Sequence, residues 1–298
     1  VFPRHRGQRI RRSGALTDIG YALASPVLDA VRVAAGVVIG VASLAWVPGL
    51  LLRPLVAMMP PAVAAVAGFV VFDAAAYWAH RWAHEVPALW RFHQVHHSPE
   101  QLDWVSGFRN HPFDGIVIAP AVVLLLAAGF DPAFTGAIAV VQIVSGIFLH
   151  ANVRWRLRPL HRVIATPEFH PWHHANEADA HGTNYAGFLP VLDIVFGSYH
   201  VPRSIRPLRS GIDTALPDRF VGQLTAPLRG IGNPLRWWRH PVRGVRHLAR
   251  LTQQIAADVW ASTTRPRRRP PRPGEAFAWA RAAPSGRPVS PGGDRNPH

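Results

Sequence analysis

The sequence contains no cysteine, so disulfides, thiolate nucleophiles and Cys-ligated metal sites are all excluded. Lysine is also absent. All 32 strongly basic residues are arginine, which we attribute to the base composition of the genome. Charged residues make up only 16% of the chain, against about 25% in soluble globular proteins, while 49% are hydrophobic. This balance predicts a protein whose surroundings are partly lipid.

The formal net charge of +15 does not by itself predict a nucleic-acid partner. The arginines gather before the first apolar run, at residues 4–12, and again after residue 153. Basic segments that flank apolar runs are typical of the cytoplasmic side of membrane proteins. We therefore expect a membrane, and no nucleic acid, as a partner of this chain.

Three long apolar runs cover residues 26–52, 55–79 and 116–149. Spanning a bilayer takes about 20 apolar residues, so each of the first two runs can form one helix. The third is too long for one helix, and its central "GFDP" predicts a turn between two helices. The sequence therefore predicts an all-α, polytopic membrane protein with four transmembrane helices in two hairpins. The alternative, a soluble helical protein with buried hairpins, fits less well because these helices are apolar on all sides.

The positions of the arginines orient the helices. Arg81, Arg91 and Arg109 lie between the two hairpins, whereas the hairpin tips, near Arg53 and Asp131, carry one arginine between them. Because cytoplasmic loops carry the excess of arginine, both termini and the histidine-rich segments are predicted to be cytoplasmic. We expect a multi-pass protein of the cell membrane with a cytoplasmic helical cap that carries the histidines.

Composition divides the chain into four parts. Residues 1–25 are predicted to be a basic cytoplasmic segment, and residues 26–205 the membrane-embedded domain. Residues 206–262 are basic and amphipathic, and predict either a helix on an anionic membrane surface or a helix packed on the main domain. Residues 263–298 are rich in Pro, Arg and Gly, and are predicted to be a disordered tail.

Eight histidines fall into three packets with helical spacing. They are His80 and His84, then His93, His96 and His97, then His170, His173 and His174. Residues three or four apart share one face of a helix, so each packet can present two or three imidazoles to a common centre. Asp73 lies on the same helical stripe as the first packet, where a carboxylate could orient His80 or another ligand through its ring N–H.

Imidazole suits iron, zinc, copper and nickel as a ligand. Eight imidazoles are too many for one ion, and His150 at the end of the second hairpin adds another, so two metals are predicted. For His111 and His181 the sequence leaves a ligand role and a purely structural one equally open. The remaining histidines are expected to have no ligand role: His5, His161, His200, His240, His247 and His298.

The order H-x3-H, H-x2-HH, H-x2-HH in a membrane protein resembles the histidine boxes of the fatty acid hydroxylase superfamily, also called the sterol desaturase family. "DAAAYWAHRWAH", "LWRFHQVHHSPE" and "TPEFHPWHHA" resemble its three boxes. "FRNHP" resembles the segment after the second box, and "NYAGFLPVLDIVFGSYHVP" resembles its closing motif. The resemblance covers about residues 60–203 and is specific for the family, but it does not identify the substrate.

The resemblance implies that the eight packet histidines are metal ligands, with His150 as an extra ligand between the second and third boxes. Some members have a further histidine where this chain has Arg154, so His111 or His181 is a possible additional ligand. Asn184 and Asp193 match the closing motif and would either support the ligands from a second layer or be structural.

The resemblance also implies a non-haem di-iron oxygenase that hydroxylates or desaturates a sterol, fatty acyl, ether-lipid or carotenoid substrate. Oxidation of a C–H bond requires a redox metal and dioxygen, because no side chain supplies such an oxidant. Two iron ions are the expected cofactor, and zinc can replace them in purified protein. No dinucleotide-binding G-x-G-x-x-G is present, so the expected partners are the lipid and a cytoplasmic electron-donor protein or reductase.

Two other classes of function stay open at this point. One is a histidine-rich membrane metal-binding protein or transporter without oxygenase activity, and the other is a b-type haem electron carrier. Transporter ligands should lie near the midplane of the spans, and haem-binding pairs within the spans. Here the histidines lie beyond the ends of the apolar runs.

Overall fold

The computed structural model describes residues 7–8, 12–153, 155, 157, 160–202, 207, 209–229, 231 and 239–264. These residues contain ten α-helices: α1 (Ala15–Ala42), α2 (Trp46–Ala57), α3 (Pro61–Glu85), α4 (Pro87–His97), α5 (Ala119–Ala127), α6 (Pro132–Leu149), α7 (His170–His173), α8 (Val191–Val195), α9 (Phe220–Thr225) and α10 (Pro241–Thr264). Short 3-10 turns lie at Ser106–Phe108, Ile116–Ile118 and Ala226–Leu228. In this part of the chain the β-structure amounts to one isolated bridge, between Ala175 and Ser210, so the predicted all-α fold is confirmed.

Three of the helices, α1, α3 and α6, are long and apolar enough to cross a membrane, with 28, 25 and 18 residues. At 1.5 Å per residue, even the shortest reaches about 27 Å, close to the thickness of the hydrocarbon core. Many of their large apolar side chains are exposed, among them Val33, Val66 and Val144. Such a surface is costly in water but suits lipid, so the described part of the chain has the features of a polytopic membrane protein.

The predicted arrangement of four spans in two hairpins is not confirmed. The first apolar run is interrupted at residues 43–45, where Leu44 adopts a left-handed φ of 57°, so α1 ends there and the 12-residue α2 follows. Residues 43–45 contain no Pro or Gly that would predict this break. By hydropathy alone, α1 and α2 form one continuous apolar run. The start of the third run forms α5, whose nine residues span about 14 Å, less than half of the hydrocarbon core.

Helix α5 packs against α1 and α2. Gly49 of α2 permits the close approach, because a Cβ at this position would lie 2.6 Å from the carbonyl oxygen of Leu124 and 2.8 Å from Cβ of Ala127. Small residues serve the same purpose in membrane helices generally, since lipid provides no hydrophobic force to press helices together. The two short helices and α1 therefore form one tightly packed unit.

The turn at "GFDP" lies where the sequence predicts it. Gly129 has a φ of 88°, and the side chain of Asp131 caps α6 by accepting a hydrogen bond from the backbone N–H of Ala133 at 2.7 Å. Pro132 then occupies the first position of α6, where its missing N–H and fixed φ are favourable. Local sequence therefore accounts for the start of this helix.

Helix α1 begins at Ala15, within the segment 1–25 that was predicted to precede the first span. One side of its first turns is buried, and there the carboxylate of Asp18 forms ion pairs with Arg12 at 2.6 Å and with Arg109 at 2.5 Å. This pairing of buried charges fixes the start of α1 to the segment after α4. Most of the predicted tail, residues 265–298, lies outside the described residues, as does Arg154.

Helices α4, α7 and α8, with their connecting loops, cover the ends of α3 and α6. Their shared core consists of Tyr77, Leu149, Ala165, Phe169, Tyr185 and Ala186. Phe196 stacks on Tyr77 with ring centroids 5.4 Å apart. This core holds residues 165–186 against the ends of the two long helices, and so brings the three histidine packets together.

Candidate metal centre

A single residue separates the two helices that carry the first five histidines. Helix α3 ends at Glu85 and α4 begins at Pro87, which suits a first helical position. Val86 between them is extended, with φ −103° and ψ 115°, and is buried. The chain therefore turns sharply, and α4 brings its histidines back against the last two turns of α3.

Five histidines form the first cluster, called here the five-histidine group: His80, His84, His93, His97 and His173. One ring nitrogen of each lies within 4.8 Å of the corresponding atoms of the others. Nε2 of His84 is 3.1 Å from Nε2 of His173 and 3.0 Å from Nε2 of His93. Nε2 of His93 is 3.1 Å from Nε2 of His97. Imidazoles from α3, α4 and α7 thus converge on one point.

The other four form the second cluster, called here the four-histidine group: His96, His150, His170 and His174. All four are buried, and their ring nitrogens also lie within 4.8 Å of one another. Nε2 of His150 is 3.0 Å from Nε2 of His174 and 3.3 Å from Nε2 of His170. The structure therefore brings all nine histidines predicted to be ligands into two groups.

Each His-His pair is divided between the two groups. Consecutive residues of an α-helix project about 100° apart, so His96 points into the four-histidine group while His97 points into the five-histidine group. His174 and His173 are divided in the same way. The rings of His97 and His174 stack with centroids 4.2 Å apart, so the two groups are neighbours. One dipeptide can therefore serve two adjacent centres.

In five of the nine rings, Nδ1 faces an oxygen acceptor. In four rings the acceptor is a backbone carbonyl oxygen: that of Tyr185 for His80 (2.6 Å), Thr183 for His173 (2.8 Å), Arg109 for His96 (3.2 Å) and Gly146 for His150 (2.6 Å). In the fifth ring, that of His93, the acceptor is the carboxylate of Asp114 (3.0 Å). A neutral imidazole carries one N–H, so donation from Nδ1 leaves a lone pair on Nε2. These contacts fix both the tautomer and the direction of the ring.

The converging lone pairs fit a cation. Nε2 of His84 faces the lone pairs of both His93 and His173 and can donate a hydrogen to only one of them. Nε2 of His80 is buried without a hydrogen-bond partner. A buried polar atom left without a partner costs free energy, and a metal ion bound between the rings removes that cost. An all-imidazole donor set suits iron or zinc.

Burial lowers the pKa of six of the clustered histidines that lie beyond the long helices, and so favours the neutral form of the ring, which is the form that binds a metal. Burial and the neighbouring imidazoles lower the pKa of His97, His170 and His174 well below the usual range. Burial also lowers the pKa of His150 to about 4. For the Asp114 carboxyl, burial raises the pKa, but the adjacent His93 outweighs this and holds the pKa below its usual range.

Asp73 occupies a different position from the one expected. Its carboxylate accepts hydrogen bonds from Nε2 of Gln142 at 2.6 Å and from the backbone N–H of Leu189 at 3.0 Å, not from a histidine ring. It joins α3 to α6 and to the segment before α8. The ring of His80 is oriented by the carbonyl of Tyr185 instead.

Asp193 holds the loop that orients two of the histidines. Its two carboxylate oxygens accept hydrogen bonds from the backbone N–H groups of Tyr185 at 2.8 Å and Ala186 at 2.9 Å. The hydroxyl of Ser198 donates to the same carboxylate at 2.6 Å. Asp193 itself is buried. We therefore predict that Asp193 orients the histidines indirectly, by holding the backbone of residues 185 and 186 in place.

Asn184 lies between the two residues whose carbonyls face His173 and His80. It has a left-handed φ of 56°, which asparagine tolerates better than most residues. Its side-chain amide donates to the carbonyls of Phe169 at 3.0 Å and His200 at 2.7 Å. The strained backbone and these two bonds fix the direction of the flanking carbonyl groups.

His111 and His181 lie outside both groups. Nε2 of His111 is 3.1 Å from the carbonyl oxygen of Leu224, and its Nδ1 accepts a hydrogen bond from the backbone N–H of Phe113 at 3.1 Å. Backbone groups thus occupy both ring nitrogens. Nε2 of His181 lies 3.3 Å from Oδ1 of Asn176. The structure brings neither residue to the candidate ligands.

Sequence reasoning missed Asp114, which is the carboxylate that does contact a histidine of the groups. Both of its oxygens lie 3.0 Å from Nδ1 of His93. A signal was available, because Asp114 is the only acidic residue between Asp103 and Asp131 and ends the quoted segment "FRNHPFD". A carboxylate paired with a ligand imidazole raises the basicity of that ligand.

Two adjacent clusters of imidazoles at the ends of apolar helices form a candidate metal site in a chain with the features of a membrane protein. Residues 65–198 match the profile of the fatty acid hydroxylase family, and this span includes all nine clustered histidines. This region of the chain is therefore similar to the fatty acid hydroxylase family, and the resemblance inferred from the sequence is confirmed.

Three named proteins illustrate the sequence similarity of this chain to lipid-modifying enzymes. The chain is 34% identical over 170 residues to an ornithine lipid hydroxylase of Rhizobium tropici, covering 56% of this chain and 51% of the relative. It is 30% identical over 131 residues to the alkylglycerol monooxygenase of Homo sapiens, covering 44% of this chain and 29% of the relative. It is 27% identical over 144 residues to a sphingolipid C4-hydroxylase of Schizosaccharomyces pombe, covering 47% and 48%. The chain thus spans about half, or less, of the length of each of these relatives. No solved structure matches the chain.

Proposed function

We propose that this chain is a membrane-bound, O2-dependent, non-haem di-iron lipid hydroxylase. The observation that carries the proposal is the division of nine histidines into two adjacent groups of imidazoles. The names of the relatives over the same region support the reaction class, since all three are lipid hydroxylases or monooxygenases. These names favour hydroxylation over desaturation.

Each histidine group would hold one iron ion. Bound iron supplies the activation of dioxygen that no side chain can provide. Inserting one oxygen atom into a C–H bond and reducing the other to water consumes two electrons and two protons from an external donor. We propose a cytoplasmic protein as that donor. Zinc binds the same kind of site, so the metal content of the purified protein has to be measured together with its activity.

The protein's own residues position the ligands and keep water from them. Backbone carbonyls of Tyr185, Thr183, Arg109 and Gly146 fix four rings, and Asp114 fixes a fifth. Asp114 also places a negative charge in direct contact with a ring of the five-histidine group. The buried aromatic side chains of Phe169, Trp172 and Tyr185 lie in the same part of the cap and exclude solvent.

The groups lie where a lipid could reach them from the bilayer. His80 and His84 sit on the last turns of α3, and His150 directly follows α6. Both helices are long and apolar enough to cross a membrane. We propose that the substrate is a polar lipid whose hydrocarbon chain enters between these helix ends. The distribution of arginine supports a cytoplasmic position of the groups and of both termini.

Metal transport is the less favoured function. Transporters bind their substrates near the midplane of the spans. Here both groups lie at the ends of the long helices and are closed by the cap. The same position disfavours a haem held between spans.

Comparative lipid analysis tests the proposal. A bacterial host would express the chain, or its His96→Ala or His173→Ala variant, at matched levels in the membrane. The expected result is one lipid class heavier by a single oxygen atom in cells with the intact chain and absent from cells with either variant. Full product formation by the variants would overturn the ligand assignment. An unchanged lipid profile with iron-loaded protein and a working donor would overturn the hydroxylase function.

A further inference from the structure

Helix α10 (Pro241–Thr264) has an apolar side that the protein covers only in part. Leu251, Ile255 and Val259 are half-buried against the rest of the molecule. On the adjoining strip of the same helix, Val245 is 66% and Trp260 is 72% exposed, and Val242 and Leu248 are exposed as well. At about 100° per residue these side chains form one continuous apolar arc. Half of that arc has no protein partner in the described residues.

The opposite side of α10 is basic. Arg243, Arg246 and Arg250 are exposed and lie within about 60° of one another around the helix, roughly opposite the apolar arc. The only acidic residue of the helix is Asp258, which is half-buried on the side that faces the protein. The solvent-facing surface of α10 thus combines an apolar strip with an arginine cluster and has no exposed carboxylate.

The end of α10 is fixed to the end of a membrane-spanning helix. The hydroxyl of Ser262 donates to the carboxylate of Glu85 at 2.5 Å, and the indole N–H of Trp82 donates to the hydroxyl of Thr263 at 3.1 Å. Trp82 and Glu85 belong to the last turn of α3, on either side of His84. An indole at the end of a span is typical of the membrane–water interface. The C-terminal end of α10 therefore lies at the level of the bilayer surface.

We propose that α10 lies on the bilayer surface next to the histidine groups and binds anionic lipid. Val242, Val245, Leu248 and Trp260 enter the boundary between headgroups and chains, while the three arginines stay with the phosphate groups and water. A helix with aromatic and aliphatic residues on one side and arginine on the other is typical of interfacial binding. The two interpretations of this segment from the sequence are then compatible, because different parts of the apolar arc contact protein and lipid.

The absence of cysteine makes this surface directly testable. Single-cysteine variants Val245→Cys, Trp260→Cys and Arg246→Cys would each carry one spin label on the full-length protein in lipid nanodiscs. Power saturation would compare the collision of each label with oxygen, which concentrates in lipid, and with a water-soluble nickel chelate. The expected result is oxygen-rich, nickel-poor behaviour at residues 245 and 260 and the reverse at residue 246.

A second experiment varies the lipid composition of the nanodiscs. The lipid-like signal at residue 245 should be stronger in phosphatidylglycerol nanodiscs than in phosphatidylcholine nanodiscs, and the difference should vanish when Arg243, Arg246 and Arg250 are all replaced by glutamine. Equal nickel accessibility at residues 245 and 246 in anionic nanodiscs would overturn the proposal. So would spin–spin broadening between copies labelled at residue 245, which would show that a second copy of the chain covers the strip. Neither outcome depends on the hydroxylase activity.

Discussion

The carboxylate of Asp114 lies 3.0 Å from Nδ1 of His93, and this pairing distinguishes the five-histidine group from the four-histidine group. In the four-histidine group, Nδ1 of His96 faces the neutral carbonyl of Arg109, and Nδ1 of His150 faces that of Gly146. A carboxylate partner makes the ligand imidazole more basic than a carbonyl does. The two groups are therefore expected to bind metal with unequal strength.

Replacing Asp114 by asparagine tests this asymmetry. The amide oxygen can still accept the Nδ1 hydrogen, but it carries no charge, so metal affinity at the five-histidine group should fall by about 10–100-fold. Iron retained per chain against rising chelator concentration measures the change. Asp131→Asn, at the far end of α6, is the control and should behave like the wild type. Identical chelator curves for Asp114→Asn and wild type would refute the role of Asp114.

The division of the His-His pairs predicts separate losses of metal. His97→Ala should empty the five-histidine group and His174→Ala the four-histidine group, so each variant should retain one iron where the wild type holds two. Metal analysis of folded, monodisperse protein gives the counts. His247→Ala, on the exposed side of α10, should leave both ions in place. Loss of neither ion from His97→Ala and His174→Ala would contradict the assignment.

Replacing Asp193 by alanine should destabilise the cap. The change removes the acceptor of two backbone N–H groups and of the Ser198 hydroxyl, all of them buried. Each unsatisfied donor costs about 1–3 kcal/mol, so a clear drop in melting temperature is expected. Thermal unfolding in detergent measures it. Asp213→Ala removes an exposed ion pair with Arg209, which contributes little, and a similar drop in both variants would contradict the structural role of Asp193.

The packing of α2 on α5 predicts different effects of alanine at two membrane glycines. At Gly49 a Cβ would clash with the carbonyl of Leu124, whereas at Gly136 nothing lies within 4 Å. Gly49→Ala should therefore cost about 1–3 kcal/mol, as overpacking generally does, and Gly136→Ala should be neutral or slightly stabilising. Thermal unfolding of the two variants in the same detergent compares them directly. Equal melting temperatures would show that α2 and α5 are not packed as described.

Sequence patterns were sufficient for the ligands but not for the residues that orient them. The helical spacing of His80 and His84, and the two H-x2-HH packets, selected eight of the nine clustered histidines, because the residue type and spacing can be read directly from the sequence. The ninth, His150, was selected by its position at the end of the second hairpin. The loop carbonyls that fix His80 and His173 come from residues whose side chains do not matter for that contact. Asp114, which the sequence did not single out, has the contact with a histidine ring that was expected of Asp73, because only the fold determines which carboxylate reaches a ring.

The same limit applies to the membrane helices. Hydropathy identified every apolar segment, but it did not predict where the helix within a segment ends. Leu44 interrupts the first run without a Pro or Gly, and the polar start of α1 is helical because Asp18 is neutralised by Arg12 and Arg109. The ion pair with Arg109 comes from a distant part of the chain, so the local sequence does not predict it.

The most direct test of the central claim is turnover of the iron-loaded protein under oxygen-18 gas. Purified protein in nanodiscs made from host lipid, with a chemical reductant in place of the natural donor, would be followed by mass spectrometry of the extracted lipids. The proposed function predicts a hydroxylated lipid that contains one oxygen-18 atom and depends on iron. A product whose new oxygen comes from water, or no product from protein shown to hold two reduced irons per chain, would contradict it.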